Sequence, residues 1–390
     1  MRRRLLTLAT VVVVVVVILI YVAAPYARAT SLVVRAANLG GRAQAFATGR
    51  AFPVTVNPRQ DINTRYGFVP VRFYTIDAPV KRSILLVPGI HSMGIEEPRL
   101  TALAKDLAAT GFTVMTMALP DLQAYRITPR ATDVIEDAVA WMSRQSNLAP
   151  DGRVGMIGIS FAGGLSISAA GRPSIRDKVA FVLSFGGHGD LPRVMHYLAT
   201  GEAPRVEGLT SHPPHDYGVA VIMYGLADRG VVPPDQVARL RDGIRTFLLA
   251  SQLTLVNMDQ ANATFAKARA MAKEMPEPAR TFMNYVNDRA VNKLGPALVP
   301  YLDQLGVADP ALSPQRAESA PTAPVFLLHG DDDIVIPAAE SALLNDYLKS
   351  KGTPVHLLLS NLITHAEVNK SAGAADAWKL ISFWANVLRQ

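Results

Sequence analysis

Cysteine is absent from this chain of 390 residues. Disulfide bonds, cysteine nucleophiles and thiolate metal sites are therefore excluded, and cysteine usage gives no information about the redox compartment. Charged residues are also scarce, at 18% of the chain against 49% hydrophobic residues. A chain of this length and apolar content can bury a large core, which favours one main domain carrying an insertion over two equal domains.

Acidic residues are missing from the first 29 positions, which contain four arginines. Four of the seven net positive charges therefore lie in this short segment, and the rest of the chain carries only +3. No dense basic stripe interleaved with aromatic residues occurs, so we predict no nucleic-acid partner. The basic bias is instead typical of a signal that sets membrane orientation.

Charge is absent again from the run Leu5 to Ala24, which is long enough to cross a hydrocarbon core of roughly 30 Å. Arginines at 2, 3 and 4 favour a cytoplasmic N-terminus, which places the rest of the chain outside the cytoplasm. We predict an uncleaved single-pass anchor. The alternative is a signal peptide cleaved near Ala29, where Ala27-Arg28-Ala29 resembles a cleavage site, with release of a secreted protein.

Five segments follow from the pattern of composition. Residues 1–29 are the anchor or signal, 30–51 a juxtamembrane linker, 52–190 the first part of a core, 191–320 a helical insertion and 321–390 the second part of the core. Short apolar runs alternate with helical patterns in both core parts, which predicts a mostly parallel eight-stranded sheet with helices on both faces. The insertion has helical patterns punctuated by prolines, and we expect it to form a cap over one edge of the sheet.

The most informative stretch is the turn Gly158-Ile159-Ser160-Phe161-Ala162-Gly163-Gly164. An apolar run precedes it, and a run of small and apolar residues that suits a closely packed helix follows it. A strand, a sharp turn with serine at its apex and a helix form the context of a nucleophile elbow. The turn strains the backbone at the serine, so its neighbours must be small.

A serine nucleophile requires a base that is itself oriented by an acid. The apolar run Val325–Leu328 leads into His329-Gly330-Asp331-Asp332-Asp333, and a later run, Leu357–Ser360, leads into a loop containing His365. Three adjacent carboxylates would repel one another if all were buried, so at least one of the three aspartates is expected to face solvent or to cap a helix.

These motifs resemble the α/β-hydrolase superfamily, in its group of dienelactone-hydrolase-like and esterase-like serine hydrolases. The match consists of the elbow, the pattern H-G-x-x-D-x-x-x-P from His329 to Pro337, and a histidine after the last strand, in the order Ser, acid, His. The resemblance implies Ser160 as nucleophile, Asp333 as orienting acid and His365 as general base. The match departs from the family's pattern at Ala162, where a second glycine is usual.

An oxyanion hole needs two backbone N–H donors. The resemblance implies the amide of Phe161 as one donor and that of Ile90 as the other. The family usually has His-Gly at the second position, whereas this chain has Pro88-Gly89-Ile90-His91. The role of His91 therefore stays open.

Two further histidines stand close together in His212-Pro213-Pro214-His215-Asp216. Two imidazoles and a carboxylate are possible zinc ligands, but the double proline stiffens the segment and provides no helical i, i+4 spacing. We predict no metal and no cofactor, and place these residues at a hinge or pocket rim of the cap.

The sequence thus predicts a serine hydrolase that cleaves a carboxylic ester, with thioesters and amides as related substrates. The apolar cap indicates a partly hydrophobic small molecule. Two alternatives remain open: an acyltransferase or peptidase with the same triad, and a catalytically idle scaffold used for binding. The sequence does not determine the oligomeric state.

Overall fold

The computed structural model describes residues 22–80, 82–363 and 373–390. Nine strands occur within these ranges: β1 (Val54–Val56), β2 (Gln60–Thr64), β3 (Gly67–Ile76), β4 (Ser83–Val87), β5 (Thr113–Met117), β6 (Val154–Ile159), β7 (Val179–Phe185), β8 (Val325–Gly330) and β9 (Val355–Ser360). The helices before the insertion are α1 at residues 22–36, α2 (Gly41–Gly49), α3 (Pro98–Ala108), α4 (Pro120–Gln123), α5 (Pro129–Ser143) and α6 (Phe161–Gly171). Those that follow are α7 (Leu191–Thr200), α8 (Asp216–Leu226), α9 (Pro234–Leu253), α10 (Met258–Lys273), α11 (Ala279–Asn287), α12 (Val291–Leu298), α13 (Ala339–Ser350) and α14 (Ala374–Val387).

The strands form one sheet in the order β1-β3-β5-β4-β6-β7-β8-β9. All pairs from β5 to β9 are parallel, and β3 is antiparallel to both β1 and β5. The predicted α/β class with a mostly parallel sheet is confirmed. The number of strands differs from the predicted eight, because β2 pairs with the first half of β3 while β1 pairs with its second half. Sequence patterning missed β2 because the strand is polar, with only Ile62 and Thr64 buried.

The central strands are buried on both faces, so their alternate side chains enter two separate cores. In β4, Leu85 and Val87 belong to the core beneath α5, α6 and the insertion. Ile84 and Leu86 of the same strand belong to the core beneath α1, α3 and α14. This two-sided burial fixes the register of the sheet, because a slip by one residue would exchange the two sets.

Between β7 and β8 the chain forms helices α7 to α12. Their apolar side chains join the first core, so the insertion and one face of the sheet share a continuous hydrophobic cluster. Helix α11 ends at Asn287, and α12 begins at Val291. Arg289 lies between them with a φ of 54°, in the left-handed region that ends a right-handed helix.

The segment before β1 packs against the core. Ala29 and Leu32 of α1 are almost fully buried, and the Arg35 guanidinium pairs with the Asp106 carboxylate at 2.7 Å. The Tyr26 ring stacks on Trp378 of α14 with a centroid distance of 5.5 Å. Part of the predicted linker, residues 30–51, is therefore helix docked on the sheet's second face.

The predicted membrane-spanning run, Leu5 to Ala24, lies outside the described residues except for its last three positions. Within the ranges given above, no helix combines the length and the apolar character that crossing a bilayer requires.

Candidate active site

The candidate site lies at the carboxyl ends of β4 and β6, which are neighbours in the sheet. The chain leaves β4 toward β5 on one side, and leaves β6 toward β7 on the other. Because the two connections diverge, they open a crevice between them, and this is where open α/β sheets bind ligands. The loop after β4 carries Gly89 to Ser92, and the loop after β6 carries Ser160.

Ser160 occupies a sharp turn between β6 and α6, with φ 55° and ψ −133°. A positive φ is rare for a non-glycine residue and costs on the order of 1–3 kcal/mol, so the surroundings must enforce it. Two backbone hydrogen bonds do so: the Ser160 amide donates to the Phe185 carbonyl at 2.7 Å, and its carbonyl accepts from the Gly163 amide at 2.7 Å. The side chain is thereby held at the apex of the turn.

Small residues around the serine permit this turn. A Cβ on Gly158 would lie 2.4 Å from the Ala162 carbonyl oxygen, and one on Gly163 would lie 2.3 Å from the Ser184 hydroxyl. Gly89 in the neighbouring loop passes so close that a Cβ there would lie 3.1 Å from the Ser160 Cβ. The expected crowding at the turn is therefore present, and it extends to the loop after β4.

The two predicted oxyanion donors border this crowded region. Phe161 is the first residue of α6, and the N–H groups of a first helical turn have no partner within the helix. Ile90 directly follows Gly89 and is half-buried against the first core. The positive end of the α6 dipole lies at Phe161, and a helix amino terminus of this kind favours negative charge.

His91, whose role the sequence left open, is half-buried in the same loop. Its Nδ1 accepts a hydrogen bond from the Met93 amide at 3.2 Å. Burial lowers the pKa of His91, opposed by the charge of Glu97 and assisted by that of Arg99. The imidazole is therefore neutral at pH 7 and braces the turn of the loop.

Asp333 lies in the turn after β8 and is 3% exposed. Its Oδ1 accepts hydrogen bonds from the amides of Val335 at 2.8 Å and Ile336 at 3.0 Å. The other oxygen, Oδ2, lies 3.4 Å from Nε2 of His329, which donates to the Ile336 carbonyl at 2.8 Å. The carboxylate is thus fixed by its own turn, and His329 is a structural support for that turn.

The other two aspartates of this turn differ from Asp333. Asp332 is exposed, as expected for at least one member of the triplet. Asp331 is half-buried, and both burial and the neighbouring Asp332 charge raise the pKa of its carboxyl group. Of the three, only Asp333 combines burial with two backbone N–H donors.

His365, the predicted base, lies outside the described residues. The strand before it is described, however: β9 pairs with β8 so that Ser360 lies opposite Gly330. The Asp331 amide also donates to the Ser360 carbonyl at 3.3 Å. The chain therefore leaves β9 directly beside the turn that carries Asp333.

The segment His212 to Asp216 contacts the turn that carries Asp333. The His215 amide donates to the Ile334 carbonyl at 2.8 Å, and its imidazole accepts from the Tyr217 amide at 3.0 Å, capping α8. The Asp216 carboxylate pairs with Arg289 at 3.0 Å.

No group of three side chains suited to hold a metal occurs in the described part of the chain.

Two residues near the site escaped the sequence analysis. Tyr197 of α7 donates to the His212 carbonyl at 3.1 Å, and burial together with the Asp333 charge raises the pKa of its phenol to about 12. His188 is fully buried, packs against the Phe161 ring and donates from Nε2 to the Leu312 carbonyl at 2.7 Å. Neither residue lies in a recognisable motif, so no sequence signal identifies them.

Two clefts of the surface lie away from the site. One, of about 300 Å³, is lined by residues 317–322 and the end of α13, and the other, of about 370 Å³, lies between α2 and α3. Neither contains a residue of the predicted triad or oxyanion hole.

No family model matches this chain, and no curated protein matches it. Among solved structures, an esterase from Pyrobaculum calidifontis is 14% identical, covering 89% of this chain and 88% of its own, with a TM-score of 0.47. An esterase from Pyrococcus furiosus is 13% identical, covering 86% and 93%, with a TM-score of 0.44. A 2,6-dihydroxy-pseudo-oxynicotine hydrolase is 16% identical, covering 85% and 68%, with a TM-score of 0.43.

Similarity of this degree does not bear on activity. The fold is assigned from the topology of this structure. The parallel strand order, the crevice beside β4 and β6 and the strained serine between β6 and α6 are those of the α/β-hydrolase fold. The resemblance inferred from the sequence is therefore confirmed at the level of the fold.

Proposed function

We propose that this protein is a serine hydrolase that cleaves a carboxylic ester through an acyl-enzyme. The observation that carries the proposal is the backbone of Ser160, held at a positive φ at the amino end of α6 and against the Gly89 loop. Strain of this kind persists only where the surrounding structure enforces it, and it is concentrated at functional sites. A buried and oriented carboxylate, Asp333, at the same edge of the sheet supports the assignment.

In the proposed reaction, Ser160 Oγ attacks the ester carbonyl while His365 takes its proton. The Phe161 and Ile90 amides stabilise the oxyanion, and Asp333 orients His365. The ester C–O bond then breaks, and the alcohol leaves with the proton from His365. Water, deprotonated by His365, then attacks the acyl carbonyl. The bond between that carbon and Ser160 Oγ breaks, His365 returns its proton to Oγ, and the carboxylic acid leaves.

The test is labelling of the full-length protein, in detergent, with a fluorophosphonate probe. We expect labelling at Ser160 in the wild type and none in Ser160→Ala or His365→Ala. An Asp332→Asn variant is the matched control, since that carboxylate is exposed, and it should label like the wild type. A p-nitrophenyl ester series then tests hydrolysis. A folded wild-type protein that does not label would overturn the proposal in favour of a binding scaffold.

We also propose that the protein is held at a membrane, outside the cytoplasm, by an uncleaved helix over residues 5–24. Cleavage near Ala29 would cut α1 in the middle of its docked face and remove Tyr26 from Trp378. Intact mass and N-terminal sequencing of the protein from membranes test this. A mature chain that begins at residue 30, or recovery in the soluble fraction after carbonate extraction, would contradict it.

A further inference from the structure

Large apolar side chains are exposed near the starts of α1 and α14. Val22 in the first described turn of α1 and Trp378 near the start of α14 are each at least half exposed. Single exposed apolar residues are ordinary at a protein surface, so their arrangement decides whether they have a function. Here the two helices are in contact, because the Tyr26 ring of α1 stacks on the Trp378 indole.

Tyr26 fixes the position of this exposed tryptophan. The planes of the two rings differ by only 6°. The Arg389 guanidinium, just beyond the end of α14, lies 5.1 Å from the centroid of the Tyr26 ring, and Tyr26 itself is half-buried. The tyrosine thus holds an open indole in one orientation, with a cation beside the aromatic pair.

A second cation and a second aromatic ring lie beside the next turn of α1. A Cβ on Gly111, between α3 and β5, would lie 3.6 Å from the Phe52 ring and 3.9 Å from the Arg28 guanidinium. The two side chains therefore converge on one point of the surface, and both residues are exposed. The start of α1 has an aromatic ring and an arginine at each of these two places.

The distribution of charge along the chain favours an anionic partner for this surface. The first 60 residues contain eight arginines and no acidic residue, so they carry +8 and the rest of the chain −1 of the net +7. Near Trp378, Asp376 and Lys379 pair with each other at 3.0 Å and add little net charge. Anionic lipids attract a basic surface that lies within about 8 Å of them at physiological ionic strength.

The predicted anchor brings this surface close to a bilayer. The apolar run over residues 5–24 ends two residues before Tyr26, and residues 24 and 26 both lie in α1. At 1.5 Å per helical residue, Tyr26 is about 3 Å beyond the end of the run. Tyrosine and tryptophan are enriched at this level of membrane proteins, and arginine side chains there reach the polar headgroups. The stack on Tyr26 brings Trp378, from the other end of the chain, to the same level.

Resting on the membrane anchor proposed above, we propose that Tyr26, Trp378, Arg389, Arg28 and Phe52 form an interfacial patch that lies in the headgroup region of an anionic phospholipid bilayer. The Tyr26–Trp378 pair enters the boundary between headgroups and acyl chains. The two guanidinium groups bind lipid phosphates. The folded domain therefore meets the membrane through one fixed surface.

The experiment measures tryptophan fluorescence of the full-length protein in vesicles of phosphatidylglycerol and phosphatidylcholine. Part of the phosphatidylcholine carries bromine on its acyl chains, either next to the headgroup or near the chain end. We expect bromine next to the headgroup to lower the fluorescence by roughly one third, because one of three tryptophans touches lipid. Bromine near the chain end should quench less.

Trp378→Phe should abolish this quenching. Trp141→Phe is the matched control, because Trp141 packs against the core beneath the insertion, on the other face of the sheet, and this variant should keep the quenching. Vesicles of phosphatidylcholine alone should give at least twofold less quenching. Equal quenching in charged and neutral vesicles would overturn the binding of phosphates by the arginines.

Failure of the patch differs from failure of the anchor or of the hydrolase assignment. A protein that resists carbonate extraction while Trp378 stays unquenched, whether a second copy or another segment covers the indole, would overturn the patch alone. A mature chain that begins at residue 30 lacks Tyr26 and would overturn both patch and anchor. Fluorophosphonate labelling of Trp378→Phe should equal that of the wild type, because Trp378 is not part of the proposed active site.

Discussion

At the scale of single residues, the site depends on positions where a side chain would be too large. Gly158 and Gly163 leave room for the turn, and Gly164 leaves room for the buried ring of His188, which a Cβ would approach to 2.5 Å. His188 packs against the ring of Phe161, so Gly164 affects Phe161, the proposed oxyanion donor, rather than Ser160. The glycines at 158, 163 and 164 are therefore each required by close packing around the turn.

Gly158→Ala tests this requirement. Its Cβ would lie 2.4 Å from a backbone carbonyl oxygen, which has little freedom to move. We expect a loss of about 1–3 kcal/mol in the free energy of unfolding and a loss of fluorophosphonate labelling. Gly49→Ala, where a Cβ meets nothing within 4 Å, is the control and should change neither. Normal labelling by Gly158→Ala would mean that the turn is not constrained as described.

Asp333→Asn tests the acid. Asparagine can keep the oxygen that accepts from Val335 and Ile336, but its NH₂ group then faces Nε2–H of His329 as donor against donor. An amide also cannot stabilise an imidazolium, so we expect kcat to fall by about 10²–10⁴ with a small change in KM. Steady-state ester hydrolysis measures this. If Asp332→Asn has the larger effect, the acid is misassigned.

At the scale of elements, one buried carboxylate attaches the beginning of the helical insertion between β7 and β8 to the rest of the fold. Glu340 of α13 has no exposure, and its Oε2 accepts from the amides of Gly189 and Asp190 at 3.0 Å each. The same carboxylate binds the Arg193 guanidinium of α7. Since α13 begins a few residues after Asp333, this one side chain connects the start of the cap to the acid turn.

Glu340→Gln should therefore weaken the seating of the cap. The variant removes the carboxylate partner of Arg193, whose side chain is 29% exposed, and weakens charged hydrogen bonds worth about 1.5–3 kcal/mol. Thermal or denaturant unfolding measures the loss, and slower probe labelling should accompany it. Asp242→Asn is the control, because the Asp242–Arg245 pair is about half exposed on both sides and should contribute less than about 1 kcal/mol. Equal effects of the two variants would contradict the argument.

At the scale of the whole molecule, the helix α1, residues 22–36, is part of the folded domain. α1 covers the face of the sheet opposite the cap, next to α3 and α14. A membrane anchor that runs into α1 would consequently hold the domain through a docked helix rather than through a loose tether. Because α1 packs on the sheet, the position of the crevice relative to α1 would then be fixed.

Leu32→Ala measures the docking. Leu32 is 1% exposed, and deleting a buried leucine side chain costs about 2–5 kcal/mol, depending on how far the surroundings collapse. We expect a lower unfolding temperature of the full-length protein in detergent. Leu39→Ala, at a side chain that is half exposed, should have almost no effect. Similar stability of both variants would show that α1 contributes little to the fold.

The sequence predicted the central elements well because they are short and apolar on both faces. β8, for example, begins at Val325, the first residue of the apolar run Val325–Leu328. The sequence analysis missed β2, because that strand is polar and buries only two of its five side chains. Pairing with β3, not the local sequence, makes this segment a strand.

The sequence by itself determined the fold class, the turn at Ser160 and the candidate acid turn, because each depends on residue types at fixed local spacings. Tertiary structure alone decided which aspartate is buried, how the cap is attached, and that α1 docks on the sheet. These features join residues far apart in the chain, and a contact of that kind exists only once the sheet has brought its loops to one edge.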